Sequence, residues 1–253
     1  MGKLKNLRLY NIVMGFFHLV QGILMIVLSN DFTLPINTSY LSFNEETYTL
    51  YPIIEHFKDV RIGYVIAIFL FLSSLAHFVI SLPKVYEWYT SNLKKGINYA
   101  RWIEYALSSS TMIVVIAMLV GVYDLSTLIL MFGINAMMIL FGLMMEVHNQ
   151  TTRKTNWLSY IFGCIAGALP WVVIALYLFN SGDGENRAPD FVYWIFFSIF
   201  LFFNSFAVNM FLQYKKVGKW KDYIWGEKVY ILLSLLAKSL LAWQVFAGTL
   251  RPV

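Results

Sequence analysis

Charged residues are scarce in this 253-residue chain, at 13%, whereas hydrophobic residues make up 59%. An average soluble domain is roughly a quarter charged, so this composition excludes an ordinary water-soluble protein. A single cysteine, Cys164, excludes a disulfide or a cysteine-based metal site within the chain, and we expect it to be a small buried residue. The four histidines stand in no HExxH motif or carboxylate cluster, so we expect no metal site.

The apolar residues fall into seven runs, each long enough to cross a hydrocarbon core of roughly 30 Å. Their approximate bounds are 9–29, 60–82, 98–122, 126–147, 157–179, 190–213 and 228–248. The first run resembles a signal peptide but is long, contains His18 and Gln21, and lacks a small-residue cleavage site. The sequence therefore predicts an all-α membrane protein, a bundle of seven transmembrane helices forming one domain over residues 1–253, with the lipid bilayer as its partner.

Basic residues in the short connections predict the orientation, because lysine and arginine accumulate on the cytoplasmic side. Fourteen of the 19 lie on the N-terminal side: Lys3, Lys5, Arg8, Lys84, Lys94, Lys95, Arg101, Arg153, Lys154, Lys215, Lys216, Lys219, Lys221 and Lys228. Four acidic residues are assigned to the same side: Glu87, Glu146, Asp222 and Glu227. We expect a multi-pass integral membrane protein with a cytoplasmic N-terminus and an extracellular C-terminus. Because these charges lie between apolar runs, they do not indicate a nucleic-acid partner.

One connection is long, at about residues 30–59. It carries Thr33, Tyr40, Thr47, Thr49 and Tyr51 among turn-forming residues. Threonine and tyrosine favour strands, so we predict a short β-hairpin in the first extracellular loop.

One lysine and one carboxylate lie deep inside the apolar runs. A charged side chain at mid-bilayer costs about 2.5 to 3.5 kcal/mol on insertion scales, which makes such residues functional candidates. Lys238 lies about ten residues into the seventh run, and Glu104 about six residues into the third. Helical side chains lean toward the helix N-terminus, so the Lys238 nitrogen should approach the depth of Glu104.

Polar neighbours share the faces of these two residues. Arg101, Glu104 and Ser108 are spaced i, i+3, i+7, and Ser234 precedes Lys238 by four. The pair could be a buried ion pair that only fixes helix packing. Alternatively, a desolvated lysine becomes a neutral nucleophile that forms a Schiff base with an aldehyde, with Glu104 as its counterion.

Two histidines also lie inside the runs. His18 and Gln21 share a face of the first helix, and His77 lies in the second span. We interpret them as hydrogen-bonding residues of a hydrated pocket rather than as metal ligands.

The segment Arg101-Trp102-Ile103-Glu104-Tyr105, followed by hydroxyl residues, together with Lys238, resembles microbial rhodopsins and, within them, the heliorhodopsins. The resemblance implies all-trans retinal as a protonated Schiff base on Lys238, with Glu104 as counterion and Ser108 and Ser234 as neighbours. It implies a polar cavity of His18, Gln21, His77 and Trp243. It also implies a retinal slot formed by Tyr105, Met138, Gly142, Trp171, Phe203 and Phe206. A homodimer, an unidentified cytoplasmic signalling partner and no enzymatic activity are further expectations.

The sequence departs from ion-pumping relatives at two positions. Ser234 stands where pumps usually have an aspartate, and Val115 stands where they have a proton donor. The first hypothesis is therefore a light sensor without active pumping. The alternatives are a light-gated passive channel for protons or ions, and a retinal-free seven-helix receptor or scaffold.

Overall fold

The computed structural model describes residues 2–180, 182 and 187–252, and of residues 2–5 only the backbone. The side chains of Lys3 and Lys5, which contribute to the predicted orientation, lie outside this description.

Seven described helices are long and apolar enough to cross a membrane, which confirms the predicted bundle. A shorter helix, α3, connects the second and third of them. In chain order the helices are α1 (Gly2–Leu28), α2 (Ile62–Ser81), α3 (Pro83–Lys94), α4 (Tyr99–Leu119), α5 (Leu125–His148), α6 (Leu158–Phe179), α7 (Asp190–Tyr214) and α8 (Tyr223–Val245).

Helix α8 begins at Tyr223, earlier than the predicted residue 228. The side chain of Asp222 caps it by accepting a hydrogen bond from the Ile224 amide at 3.0 Å. The additional turn places Glu227 within the helix. Sequence reasoning had assigned that residue to a connection.

Helix α3 was not predicted. Pro83 begins it, in the first turn where proline is tolerated because its missing N–H has no helical partner. Tyr89 and Leu93 face inward and are buried, whereas Trp88 remains 46% exposed. Through Tyr89, a segment outside the membrane-spanning helices reaches the interior of the bundle.

The first long connection forms an antiparallel hairpin of β1 (Thr33–Asn44) and β2 (Thr49–Arg61). The turn is stabilised by the Asn44 side chain, which accepts hydrogen bonds from the amides of Glu46 and Thr47. The predicted hairpin is thus confirmed, but its strands of 12 and 13 residues are not short. We call this side of the bundle the hairpin end and the other side, which carries α3 and the α7–α8 connection, the basic end.

At the hairpin end, the exits of the first and last helices are joined. A π-helical turn, Phe246–Leu250, extends α8. The Asn30 amide donates to the Leu250 carbonyl at 2.8 Å, and the Asn30 side chain donates to the Thr249 carbonyl at 2.9 Å. The chain that leaves α1 is therefore fixed to the end of α8 through backbone groups.

Candidate functional site

Lys238 is buried in the bundle with 3% of its side chain exposed. Its Nζ donates to Glu104 Oε1 at 2.9 Å and to Ser234 Oγ at 2.8 Å. Ser234 lies one turn earlier on α8, and the i, i+4 spacing puts both side chains on one face. The lysine nitrogen also lies 5.0 Å from the centre of the Tyr105 ring. The structure thus brings the predicted lysine, carboxylate and serine into direct contact.

Glu104 receives a further hydrogen bond that sequence reasoning missed. Ser73 on α2 donates to Glu104 Oε1 at 2.6 Å. The predicted neighbour Ser108 is fully buried one turn after Glu104. A lone serine in an apolar run carries no signal of its own, so only the packing of α2 against α4 reveals the contact.

A cavity of about 250 Å³ extends from Lys238 between α4, α5, α6, α7 and α8. All six residues predicted for the slot line it: Tyr105, Met138, Gly142, Trp171, Phe203 and Phe206. Trp171 packs its ring edge-on against Phe200 and Phe203. The walls are therefore largely aromatic and apolar, and the lysine nitrogen is a polar group at one margin.

Two glycines permit the close packing of these walls. A Cβ at Gly142 would overlap the Trp102 ring, and one at Gly167 would overlap the Met138 sulfur. Cys164 also lines the cavity and is exposed, so the expectation that it is a small core residue was wrong. The position on α6 lies where the cavity wall meets the exposed surface, which the sequence could not indicate because α6 is apolar around its whole circumference.

The four residues predicted for a polar cavity form two contacting pairs. The rings of His18 and His77 stack with centroids 5.7 Å apart, and Trp243 Nε1 donates to Gln21 Oε1 at 3.0 Å. His77 Nδ1 lies 2.8 Å from Asn11 Oδ1, a partner that was not predicted. Among the described residues, none of the four hydrogen-bonds directly to Lys238.

Toward the basic end, Arg101 forms a buried ion-pair cluster that sequence reasoning missed. Its guanidinium contacts Glu146 Oε1 at 2.5 Å and pairs with Glu227 Oε2. The three side chains are between 1% and 3% exposed, so both glutamates are buried, although Glu227 was assigned to a connection and Glu146 to the cytoplasmic end of its run. The sequence did contain one signal for this cluster, Arg101 itself, because an arginine within a membrane span needs acidic or hydrogen-bonding partners.

Several neutral donors complete this cluster. Tyr89 and the Asn98 side chain donate to Glu227 Oε1 at 2.9 and 2.7 Å. Glu146 accepts hydrogen bonds from the Asn98 amide, Trp102 Nε1 and the Tyr223 hydroxyl. Burial raises the pKa of the Tyr89 phenol well above its usual value, so Tyr89 remains a neutral donor. In the part of the chain that the structure describes, these hydrogen bonds to the two carboxyl groups all come from groups that can donate.

A buried lysine paired with a carboxylate inside seven helices fits a protein of the rhodopsin class. The fold is similar to that of a solved structure described as a light-driven proton pump LR (Mac) from Leptosphaeria maculans, with a TM-score of 0.63. The alignment covers 93% of this chain and 92% of that one at 15% identity, which shows the fold alone. A search of curated proteins gives no match.

The heliorhodopsin family profile matches residues 7–250, and the chain belongs to this family. It is therefore a retinal-binding, light-sensing integral membrane protein. The site fits such a chromophore. Its cavity is bounded by aromatic rings and by glycines that leave no room for a Cβ, and it ends at a buried primary amine.

Proposed function

We propose that the chain is a light sensor in which all-trans retinal is bound to Lys238 as a protonated Schiff base, with Glu104 as counterion and without active ion pumping. The observation that carries this proposal is the position of Lys238 Nζ, at the margin of the aromatic cavity and 2.9 Å from Glu104 Oε1. A structural ion pair would need no cavity beside it.

Bound retinal would supply light absorption and an isomerisable polyene, and the amine of Lys238 would hold it. The protein's own groups set the charge around that nitrogen. Glu104 stabilises a positive charge on Lys238 Nζ, and Ser73 stabilises the carboxylate by donating to it. Ser234 accepts from Nζ and orients it. Together these groups favour a protonated nitrogen in the dark.

We exclude pumping because two positions that carry protons or charge in ion-pumping relatives hold Ser234 and Val115 here. Ser234 occupies the face of α8 where a second carboxylate would pair with the lysine. Val115 is fully buried and apolar, so it cannot carry a proton. Among the described residues, Glu104 is the one acidic group in an ion pair with Lys238.

We also propose how the protein is oriented in the membrane and how it assembles. We expect the hairpin end to be extracellular and the basic end, with Arg8 and Lys84, to be cytoplasmic. A cysteine placed at Thr47, in the hairpin turn of a Cys164→Ser background, should react with an impermeant maleimide in intact cells. A homodimer and a cytoplasmic signalling partner stay predictions.

The experiment is reconstitution of the purified apoprotein with all-trans retinal. We expect a visible absorption band in the wild-type protein and in Lys228→Ala, a matched control on the same helix, but none in Lys238→Ala. A band that survives in Lys238→Ala would refute the covalent attachment. No band in the wild type would favour the retinal-free receptor or scaffold.

Transport measurements decide between the sensor and the pump. Proteoliposomes containing the retinal-loaded protein should show no sustained light-driven pH change that an uncoupler abolishes. Such a change would contradict the proposal. A passive light-gated channel is a second candidate, favoured by the small polar cavity that Glu104 and Glu227 both line. Photocurrents that reverse with the imposed gradient would support that candidate.

A further inference from the structure

A second, smaller cavity lies between the Lys238–Glu104 pair and the Arg101 cluster. Its volume is about 30 Å³, and a water molecule needs roughly 10 to 15 Å³ by such a measure. Its polar lining includes Asn11, Ser73, His77, Arg101, Glu104 and Glu227. Arg101 Nε is buried and has no hydrogen-bond partner among the described residues, so it is a donor available to water there. The cavity thus has the size and the polarity to hold water between two carboxyl groups.

The Arg101 cluster combines one guanidinium with two carboxyl groups, Glu146 and Glu227. With both carboxyl groups ionised, the single guanidinium would leave the cluster with one uncompensated negative charge. Other titratable groups packed around it are Tyr89, His77, Tyr214, Tyr223 and Tyr230. None of these tyrosines supplies a positive charge. A buried excess negative charge is unfavourable, and uptake of one proton neutralises it.

We infer that Glu227 accepts the proton that leaves the Lys238–Glu104 pair in the light, through water in the small cavity. This inference rests on the proposed function. The proton first passes from the lysine nitrogen to Glu104, whose carboxylate becomes a carboxylic acid. The O–H bond of Glu104 then breaks as the water gains that proton, and the water gives up one of its own protons to Glu227. Glu104 returns to a carboxylate, and the Arg101 cluster becomes neutral.

His77 lines the same cavity and is the competing acceptor. Its Nδ1 already contacts Asn11 Oδ1. Protonation of His77 would place a buried cation beside the Glu104 carboxylate and leave the charge of the Arg101 cluster unchanged, whereas protonation of Glu227 neutralises the cluster. The excess negative charge of the Arg101 cluster is the reason to prefer Glu227.

Infrared difference spectroscopy of the retinal-loaded protein in lipid tests this assignment. When light produces the state with a deprotonated lysine nitrogen, a carboxylic acid C=O band should appear. We expect Glu227→Gln to abolish the band and Glu87→Gln to retain it, because Glu87 is an exposed carboxylate on α3 at the same end of the bundle. A band that persists in Glu227→Gln, or that is lost instead in Glu146→Gln or His77→Phe, would overturn the inference.

Tyr89→Phe provides a second readout that retains the Glu227 carboxylate. It removes one donor from Glu227 Oε1, so the C=O band should shift in frequency if it belongs to Glu227. An unshifted band would overturn the inference even if Glu227→Gln failed to fold. A wild-type protein without a visible band would refute the proposed function as well, whereas a normal visible band without a Glu227 signal would refute this inference alone.

Discussion

Replacing Glu104 by glutamine removes the negative charge beside Lys238 and keeps a side chain of similar shape. The two atoms are 2.9 Å apart, and Coulomb's law at an effective dielectric constant of about 20 gives an attraction of about 6 kcal/mol. That energy corresponds to about 4 pH units at about 1.36 kcal/mol per unit. The glutamine oxygen still accepts a hydrogen bond from Nζ and offsets part of the loss. We therefore expect Glu104→Gln to lose the protonated chromophore at a pH about 2 to 4 units lower than the wild-type protein does.

The assay is a pH titration of the visible band of the retinal-loaded protein in the dark. Removing an anion disfavours the protonated nitrogen, so the midpoint of band loss must fall rather than rise. Glu46→Gln, in the exposed hairpin turn, is the matched control and should leave the midpoint unchanged. An unchanged or higher midpoint in Glu104→Gln would refute its role as counterion.

Two further perturbations test the walls of the site and the Arg101 cluster. Gly142→Ala places a methyl group against the Trp102 ring, so the visible band should form several-fold more slowly after retinal is added. Gly133→Ala, on the same helix, is the control: its added methyl group would meet no atom within 4 Å, and the band should form at the wild-type rate. Equal rates would show that this wall does not shape the cavity. Arg101→Gln leaves two buried carboxylates unpaired and should destabilise the protein by about 3 to 5 kcal/mol. Arg187→Gln, at an exposed ion pair, should change stability by at most about 1 kcal/mol, and denaturant unfolding distinguishes the two.

The sequence predicts the bundle well because a bilayer restricts spanning segments to long apolar helices. The same restriction makes Lys238 and Glu104 conspicuous, since charges deep in apolar runs are rare. Their depth could be compared because both helices run in the same direction, and the structure places them in contact. The six slot residues line one cavity. Their choice depended on family resemblance, not on the residues alone.

The Arg101 cluster could not be predicted in the same way. Glu146 and Glu227 lie near the ends of apolar runs, where a carboxylate is usually solvated in a connection. Their burial depends on the extra turn of α8 and on donors from α3, α4 and α8, which converge only in three dimensions. The single exposed Cys164 was misplaced for a related reason, because an apolar helix in lipid has no polar face to mark its outer side.

Helix α8 is fastened differently at its two ends. At the hairpin end, Asn30 binds the backbone carbonyls of Thr249 and Leu250, and these bonds do not depend on any titrating group. At the basic end, Glu227 is held by Arg101 and Tyr89, an attachment that depends on charge. A proton arriving at Glu227 would weaken the second attachment and leave the first intact. The helix would then be held more weakly beside α3, where neutral bonds from Asn209 and Gln213 to its backbone carbonyls remain, and as firmly as before at the hairpin end.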